Sequence, residues 1–329
     1  VREKEIADII AGVLGEPIQD MDRNLFELGC TSVHLTQIAQ VLRTRFDPDL
    51  PITFVFRHPS VSALVQSLGE PVSAPLPTAA PQTIGGDIAI IGYAGHFPSA
   101  PNSEALWELS SEGKTSMKPV NIDEYSLKEP GILNNPDYVP WESHIEDGLY
   151  FDAEFFGYSP KEAETLDPQI KIMFETCWAA MEQAGIPPRS STRSVAVFAG
   201  SASNNWGNTL MGPSGLMSPS NFVLSTGNDR EYLTTHVAYR MGYTGPAMSV
   251  QTACSTSLVA ICLACNALKR GEAQLALAGG IAFRYPLSHG HISQRDGVFC
   301  RDGKVRTFDA QASGTMFGSG AGIVVLKPL

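Results

Sequence analysis

The sequence predicts a multidomain protein in which a small all-α unit precedes a larger α/β unit. Three observations lead to this prediction. Apolar residues recur at helical spacing in the first 68 residues, a Pro/Ala-rich stretch with almost no charge follows at residues 69–86, and apolar strand candidates alternate with helical stretches from Asp87 onward. Such alternation is typical of an α/β fold with a mainly parallel sheet.

The small unit is predicted from two helical faces and one short closing helix. The first face consists of Ile6, Ile9, Ile10, Val13 and Leu14, at positions i, i+3, i+4, i+7 and i+8. The second consists of Leu35, Ile38, Ala39, Leu42 and Phe46. Residues 61–68 fit a short last helix after Pro51 and Pro59. Residues 69–86 favour an extended, semi-rigid linker.

The larger unit is predicted to contain five strands and two long helices. The strand candidates are residues 88–91, 195–199, 247–250, 275–278 and 323–326. The helical stretches are residues 161–184 and 258–268. Residues 201–230 are rich in Gly, Asn, Ser and Pro and predict a long loop, a kind of segment that is often functional in compact domains.

Composition argues against several classes of protein. The net charge of −11 disfavours a nucleic-acid or anionic-membrane surface, which needs clustered Lys and Arg. No apolar run approaches the roughly 20 residues that span a bilayer, and the charged start shows no signal peptide. We therefore expect no nucleic-acid or membrane partner and a cytoplasmic location. Because the first residue is Val1, we also expect the chain to be part of a longer polypeptide.

The six cysteines are few and irregularly spaced, which argues against a disulfide framework. Cys262 and Cys265 form a C-x-x-C pair inside an apolar helical stretch, without the second pair that would complete a zinc site. We therefore expect both thiols to pack in the core, and we expect no metal site.

Cys254 is the candidate nucleophile. It lies in a cluster of small polar residues between a predicted strand and a predicted helix, and so at the positive end of that helix. This position favours thiolate over thiol. The alternative is that Cys254 is a buried small hydrophobe, as many free cysteines are.

Ser32 is the candidate attachment residue. A Gly turn precedes it, and the second predicted helix begins at it. A serine at this position commonly acts as a helix N-cap. It could instead carry a phosphate-linked arm, because the free N–H groups of a helix start favour a phosphodiester.

Residues 251–258 (Gln-Thr-Ala-Cys-Ser-Thr-Ser-Leu) resemble the active-site signature of β-ketoacyl synthase domains of modular polyketide synthases. The common form begins with Asp, and the form with Gln251 resembles ketosynthases of mixed peptide/polyketide assembly lines. Residues 87–92, 97–98, 151–160, 166–169 and 314–326 resemble further blocks of this family in the same order. The resemblance implies a thiolase-like fold, usually a homodimer, with residues 87–329 as the first half of an αβαβα sandwich. It also implies that Cys254 is the acyl acceptor.

Residues 22–32 (Asp-Arg-Asn-Leu-Phe-Glu-Leu-Gly-Cys-Thr-Ser) and 58–61 (His-Pro-Ser-Val) resemble an acyl- or peptidyl-carrier domain. The resemblance implies a four-helix bundle over residues 1–68 with 4′-phosphopantetheine attached covalently to Ser32 by a phosphopantetheinyl transferase. Many acyl carriers have Asp where this chain has Thr31, and no acidic residue follows Ser32 before Asp47. Both departures favour a peptidyl-type carrier.

The two resemblances together imply part of a polyketide or hybrid peptide/polyketide assembly line. Its carrier would hold a thioester, and Cys254, as an acyltransferase nucleophile, would accept the chain for decarboxylative Claisen condensation. Other domains of the same synthase and carrier domains are the implied partners. The family's two histidine motifs and its lysine are absent from residues 1–329, so we expect no condensation by this chain alone.

Three alternative interpretations remain at this point. A cysteine hydrolase acting on thioesters would need a histidine beside Cys254, and His236 and His291 are candidates, although packing roles are expected for both. A non-catalytic carrier and dimerisation module would need no reactive thiol. A nucleotide-binding loop at residues 314–322 is disfavoured, because these glycines precede a predicted strand rather than a helix.

Overall fold

The computed structural model describes residues 2–30, 32–68, 86–120, 130–189, 193–203, 206–211, 224–285, 290–294 and 297–329. The chain divides into two compact units, Val1–Ala79 and Ala80–Leu329. The predicted linker lies outside the described residues, apart from Gly86. Much of the predicted loop at 201–230 also lies outside them, although its described part includes a short helix at Trp206–Met211.

Where the structure describes it, the first unit is a bundle of four helices: α1 (Arg2–Leu14), α2 (Ser32–Arg45), α3 (Phe54–Arg57) and α4 (Val61–Ser67). The two predicted faces form its core, with Ile6, Ile10, Leu35, Ile38 and Leu42 fully buried. The long α1–α2 connection is fixed to α4 by a hydrogen bond from Ser62 N to Met21 O, and to the segment just before α4 by one from Leu25 N to Pro59 O. Each helix therefore buries its apolar side against the others.

The second unit is built on a five-stranded sheet. Its strands are β1 (Ile88–His96), β5 (Val195–Ser201), β6 (Ala247–Ser249), β7 (Leu275–Ala282) and β9 (Gly320–Pro328), in the spatial order β1-β9-β7-β5-β6. Short strands form two further two-stranded sheets: β2 (Lys118–Pro119) with β4 (Trp141–Glu142), and β3 (Tyr138–Val139) with β8 (His291–Ile292).

Strand direction in the main sheet differs in one respect from a wholly parallel arrangement. β5 pairs in parallel with β6 and β7, whereas β9 is antiparallel to both of its neighbours, β1 and β7. Four strands therefore run one way, and the last strand in the chain is reversed. The carboxyl ends of β5, β6 and β7 consequently lie along one edge of the sheet.

Helices cover the two faces of the sheet unequally. The α-helices of this unit that lie wholly within the described residues are α5 (Ser103–Ser111), α6 (Pro160–Thr165), α7 (Pro168–Gln183), α8 (Trp206–Met211), α9 (Leu233–Met241) and α10 (Thr256–Lys269). α7 crosses β1 and β9 and α9 crosses β5 on one face, and α10 lies on β7 and β5 on the other. We call the face beneath α10 the second face.

The single helix predicted at residues 161–184 is in fact two helices, so that prediction was wrong. Pro168 is the first residue of α7, and proline disfavours helical backbone in the residue before it. Leu166 and Asp167 accordingly have ψ values of 136° and 126°, and the Asp167 side chain caps α7 by accepting a hydrogen bond from Gln169 N.

Within the described residues, no helix has the length and apolar character needed to cross a bilayer.

Candidate active site

Cys254 lies in a tight elbow between β6 and α10. The strand ends at Ser249, a single 3-10 turn covers Ala253–Ser255, and α10 begins at Thr256. The Cys254 side chain is exposed to solvent. The structure therefore places this thiol at the start of a 14-residue helix, as the sequence predicted, and overturns the alternative of a buried hydrophobe.

The elbow contains backbone strain immediately before the cysteine. Ala253 has a φ of 54°, in the left-handed region that side chains other than glycine rarely adopt. Such conformations cost about 1–3 kcal/mol and persist only where surrounding contacts enforce them. The strain marks Cys254 as a position whose geometry the fold holds in place.

The hydroxyl groups of the two residues after Cys254 supply these contacts. Ser255 Oγ lies 2.8 Å from Thr252 O and donates to it. Thr256 Oγ1 accepts a hydrogen bond from Thr252 N at 3.0 Å and donates one to Ala253 O at 2.8 Å. The backbone N–H of Thr256 also donates to Ala253 O. These bonds close the turn without using the Cys254 thiol.

Two glycines that the sequence analysis did not single out let the elbow lie against the sheet. A Cβ on Gly200, at the end of β5, would come within 1.9 Å of Val250 O and 2.4 Å of Thr256 Cγ2. A Cβ on Gly280, in β7, would come within 2.9 Å of Ser257 Oγ. Glycine is therefore required at Gly200 by close backbone approach. A glycine at the end of a buried strand was the available sequence signal.

The other cysteines differ from Cys254 in position or burial. Cys30, Cys177 and Cys300 are buried, and burial raises the pKa of the Cys177 thiol well above its ordinary value. Cys262 is exposed on α10, and Cys265 is partly buried. The predicted core position of Cys262 was therefore wrong, because α10 buries its other side through Ala260, Ala264, Ala267 and Leu268.

Both candidate histidines are hydrogen-bonded away from Cys254. His236 Nε2 donates to Thr226 O at 2.9 Å, which leaves Nδ1 to accept from Tyr158 Oη at 3.0 Å. Burial is the main cause of the lowered pKa of His236. His291 Nε2 lies 2.7 Å from Cys300 O. In the described parts of the chain, no histidine forms a hydrogen bond with Cys254, so these residues provide no support for a Cys–His hydrolase.

A buried polar cluster joins the ends of two central strands beside this edge. Gln169 is fully buried; its Nε2 donates to Ala202 O at 3.0 Å, and its Oε1 accepts from Phe283 N at 3.2 Å. Ala202 directly follows β5, and Phe283 directly follows β7. Asp167 accepts hydrogen bonds from the Gln169 backbone and side chain, and burial raises the Asp167 pKa to about 6. The block at residues 166–169 therefore holds the loops at the carboxyl edge together.

The second candidate site lies in the first unit, where α2 begins at Ser32. The preceding loop turns at Gly29, which has a φ of 88°, and Cys30 N donates to Leu25 O at 2.9 Å. Exposed Phe26 and Glu27 lie in the same loop. A serine at a helix start offers a hydroxyl for attachment, and the free backbone N–H groups of a helix start suit a phosphodiester. The residues here fit a phosphate-linked arm.

No group of three or more His, Cys, Asp or Glu side chains arranged to hold a metal ion is present among the residues that the structure covers. The Cys262–Cys265 pair belongs to no such group.

Two family models match the chain. Residues 86–329 match the model of the β-ketoacyl synthase N-terminal domain. The chain belongs to the β-ketoacyl synthase family. Residues 4–68 match the model of the phosphopantetheine attachment site, so a carrier domain, with covalently attached phosphopantetheine as its cofactor, precedes the N-terminal domain of a ketosynthase.

The similar proteins are modular polyketide synthases. The chain is 33% identical to polyketide synthase PksM of Bacillus subtilis over 99% of its own length, and 34% identical to erythronolide synthase EryA2 of Saccharopolyspora erythraea over 98%. It is also 34% identical to polyketide synthase GfsB of Streptomyces halstedii over 97% of its length. The chain spans 8%, 9% and 6% of these relatives, respectively.

Solved ketosynthase structures share the fold of the second unit. Ketosynthase twelve of the bacillaene polyketide synthase from Bacillus amyloliquefaciens aligns with a TM-score of 0.64 and 36% identity, over 73% of this chain and 41% of that one. The module 1 ketosynthase of the bacillaene synthase from the same species aligns with a TM-score of 0.61 and 31% identity, over 73% of this chain and 42% of that one. The second unit therefore has the thiolase-like fold of the N-terminal half of a ketosynthase, as the resemblance implied.

Proposed function

We propose that Cys254 accepts an acyl or peptidyl chain from a phosphopantetheine thioester, as the first step of a decarboxylative Claisen condensation in a polyketide or hybrid peptide/polyketide assembly line. The exposed thiol at the strained elbow that begins α10 is the observation that carries this proposal. Gln251 supports the hybrid type of assembly line through the resemblance of its signature.

The acyl transfer follows from the chemistry of the elbow. The Cys254 thiolate attacks the carbonyl carbon of the incoming thioester, a C–S bond forms, and the carbonyl oxygen takes up the electron pair. When this oxyanion collapses, the bond to the donor sulfur breaks and the donor leaves as a thiolate, which then takes up a proton. The helix start stabilises the attacking thiolate, and the backbone N–H of Cys254 can donate to the oxyanion.

We propose Ser32 as the attachment residue, with residues 1–68 as the carrier domain, 69–86 as the linker and 87–329 as the ketosynthase half. When bound, the arm would supply a terminal thiol that carries the chain as a thioester. What this chain supplies is the Ser32 hydroxyl and the N-terminus of α2 beside it. The departures at Thr31 and along α2 support a peptidyl-type carrier.

Carrier and ketosynthase domains imply contacts with other domains of the synthase and with a phosphopantetheinyl transferase.

We further propose that the ketosynthase half forms a homodimer through β6. This strand lies at the edge of the sheet, and Met248 on it is 55% exposed. An edge strand with unpaired backbone groups is a surface for pairing with a second strand. Sedimentation of Met248→Lys against the unsubstituted chain tests this contact: loss of dimer supports it, and an unchanged dimer contradicts it.

Mass spectrometry of the full chain after incubation with coenzyme A and a phosphopantetheinyl transferase tests the attachment residue. We expect the added mass of the arm on the peptide that contains Ser32, and its loss in Ser32→Ala. Ser60 is a matched control, because its side chain caps α4 by accepting a hydrogen bond from Ala63 N. Ser60→Ala should keep the modification, and modification that survives in Ser32→Ala would contradict the assignment.

A further inference from the structure

The peptide unit between Ala253 and Cys254 connects the strain at the elbow to its chemistry. The carbonyl of this unit belongs to Ala253, whose φ is 54°, and its N–H belongs to Cys254. Within the described residues, the Cys254 N–H forms no hydrogen bond. It is thus available to an oxyanion, provided that the plane of the peptide is fixed.

One side chain fixes that plane. Thr256 Oγ1 donates to Ala253 O at 2.8 Å and accepts from Thr252 N at 3.0 Å, so a single hydroxyl bridges the two sides of the turn. The Thr256 backbone N–H donates to the same carbonyl. Because a peptide is planar, holding the Ala253 carbonyl also sets the direction of the Cys254 N–H. A hydrogen bond to the carbonyl further polarises that N–H as a donor.

The methyl group of Thr256 holds the hydroxyl in place. Its Cγ2 lies over Gly200, 2.4 Å from where a Cβ on that residue would be. Thr is β-branched and therefore restricted at χ1, so packing of the methyl group restricts where Oγ1 can point. The methyl packs against the sheet, and the hydroxyl forms the bridge.

We propose that Thr256 is a positioning residue for acyl transfer: its hydroxyl aligns the Cys254 backbone N–H with the carbonyl oxygen of the incoming thioester. This rests on the proposed role of Cys254 as the acyl acceptor. Among the described residues, the Thr256 hydroxyl bonds to Thr252 N and Ala253 O and not to the Cys254 thiol, so it acts through the backbone. Its effect should therefore appear in reactions that develop an oxyanion and be absent from reactions that do not.

Two reactions of the same thiol separate these cases. Acyl transfer from hexanoyl N-acetylcysteamine thioester passes through an oxyanion, whereas alkylation by iodoacetamide displaces iodide without one. Removing a single oxyanion donor typically slows catalysis about 100-fold or more. Misaligning the donor should have a smaller effect, so we expect Thr256→Val to lower the acylation rate of Cys254 by about tenfold and alkylation by less than about twofold. Valine keeps the methyl that packs over Gly200.

Conservative replacement and folding controls complete the experiment. Thr256→Ser restores the hydroxyl and should recover acylation to within about threefold of the unsubstituted chain. Thr256→Ala is a second variant without the hydroxyl and should repeat the loss. Alkylation of buried Cys177 reports unfolding in each variant.

The possible outcomes distinguish this inference from the function on which it rests. No acylation of Cys254 in the folded, unsubstituted chain would contradict the proposed function itself. Normal acylation in Thr256→Val and Thr256→Ala would overturn the role of Thr256 alone. Equal losses of acylation and alkylation would also overturn it, because the hydroxyl would then serve only the local structure.

Discussion

The carrier unit and the ketosynthase half complete their hydrophobic cores in different ways. In the carrier, the apolar sides of α1 and α2 pack into one shared core. In the ketosynthase half, α10 is apolar on both sides but buries only the side that faces the sheet. Leu258 is 73% exposed, whereas Leu35 in α2 is completely buried. The two proposed attachment points therefore lie in different settings, one on a closed bundle and one beside an open apolar surface.

That open surface continues across the second face of the sheet. Ile90 and Tyr93, on β1, are 60% and 47% exposed, whereas neighbouring Ile91 and Ala94 pack into the core on the opposite face. A depression of about 400 Å³ lies between α10 and β9, with Ile261 and Val324 among its lining residues and glycines along much of its floor. Apolar surface of this kind is typical of a face that another part of a protein covers.

The largest expected effect comes from the same substitution in the two units. Leu35→Ala should lower the free energy of unfolding of the carrier by about 3 kcal/mol, because a fully buried side chain is replaced by a cavity. Leu258→Ala should change the stability of the ketosynthase half by less than about 0.5 kcal/mol. Hydrogen exchange in denaturant, read from peptides of each unit, measures both. Equal losses would contradict the contrast between a closed core and an open surface.

The elbow should tolerate no added side-chain atom at Gly200. Gly200→Ala places a Cβ against Val250 O and Thr256, and we expect a loss of about 2 kcal/mol through overpacking. Gly322→Ala is the matched control in the same sheet, because a Cβ there meets no atom within 4 Å. Denaturant unfolding compares the two variants. A Gly200→Ala protein as stable as Gly322→Ala would show that the elbow does not need this close approach.

A smaller, pH-dependent effect is expected from Glu175 in α7. Burial, together with the charges of Asp147 and Asp152, raises the Glu175 pKa to about 7. A raised carboxyl pKa favours the folded state at low pH, and that contribution is lost as the pH rises from about 4.5 to about 7. Glu175→Gln should therefore match the unsubstituted chain at pH 4.5 and be more stable by about 1 kcal/mol at pH 8, after allowance for solvent screening.

Exposed Glu182, on the same helix, provides the control for this prediction. In Glu182→Gln, the difference in unfolding free energy between pH 4.5 and pH 8 should stay that of the unsubstituted chain. Thermal unfolding at both pH values measures the change. If Glu175→Gln differed from the unsubstituted chain by the same amount at the two pH values, the carboxyl would not titrate in this window.

The sequence predicted the features that depend on local pattern. The apolar spacing of Ile6 to Leu14 predicted the buried side of α1, and all five predicted strands are present in the main sheet. The position of Cys254 followed from a strand, a polar cluster and a helix in immediate succession. In each case, the period or the order of residue types is itself the structural signal.

What the sequence did not predict depends on partners distant in the chain. An apolar run does not encode the direction of its strand, so the reversal of β9 was not foreseen. Because α10 is apolar on most sides, its pattern did not show that Cys262 faces outward. The close approaches at Gly200 and the hydrogen bonds made by the Thr256 hydroxyl could be identified only from the three-dimensional structure. Pro168 itself predicts a helix boundary. The helical periodicity on both sides of it suggested one continuous helix instead.

The most direct test of the central claim is acylation of the folded chain by hexanoyl N-acetylcysteamine thioester, with the modified residue located by fragment-ion mass spectrometry. We predict the acyl mass on Cys254, its absence in Cys254→Ala, and its persistence in Cys262→Ala, because Cys262, on the helix that follows the elbow, is the other exposed thiol. Acylation at Cys262 instead, or none at Cys254 in a chain whose Cys177 stays protected, would contradict the account.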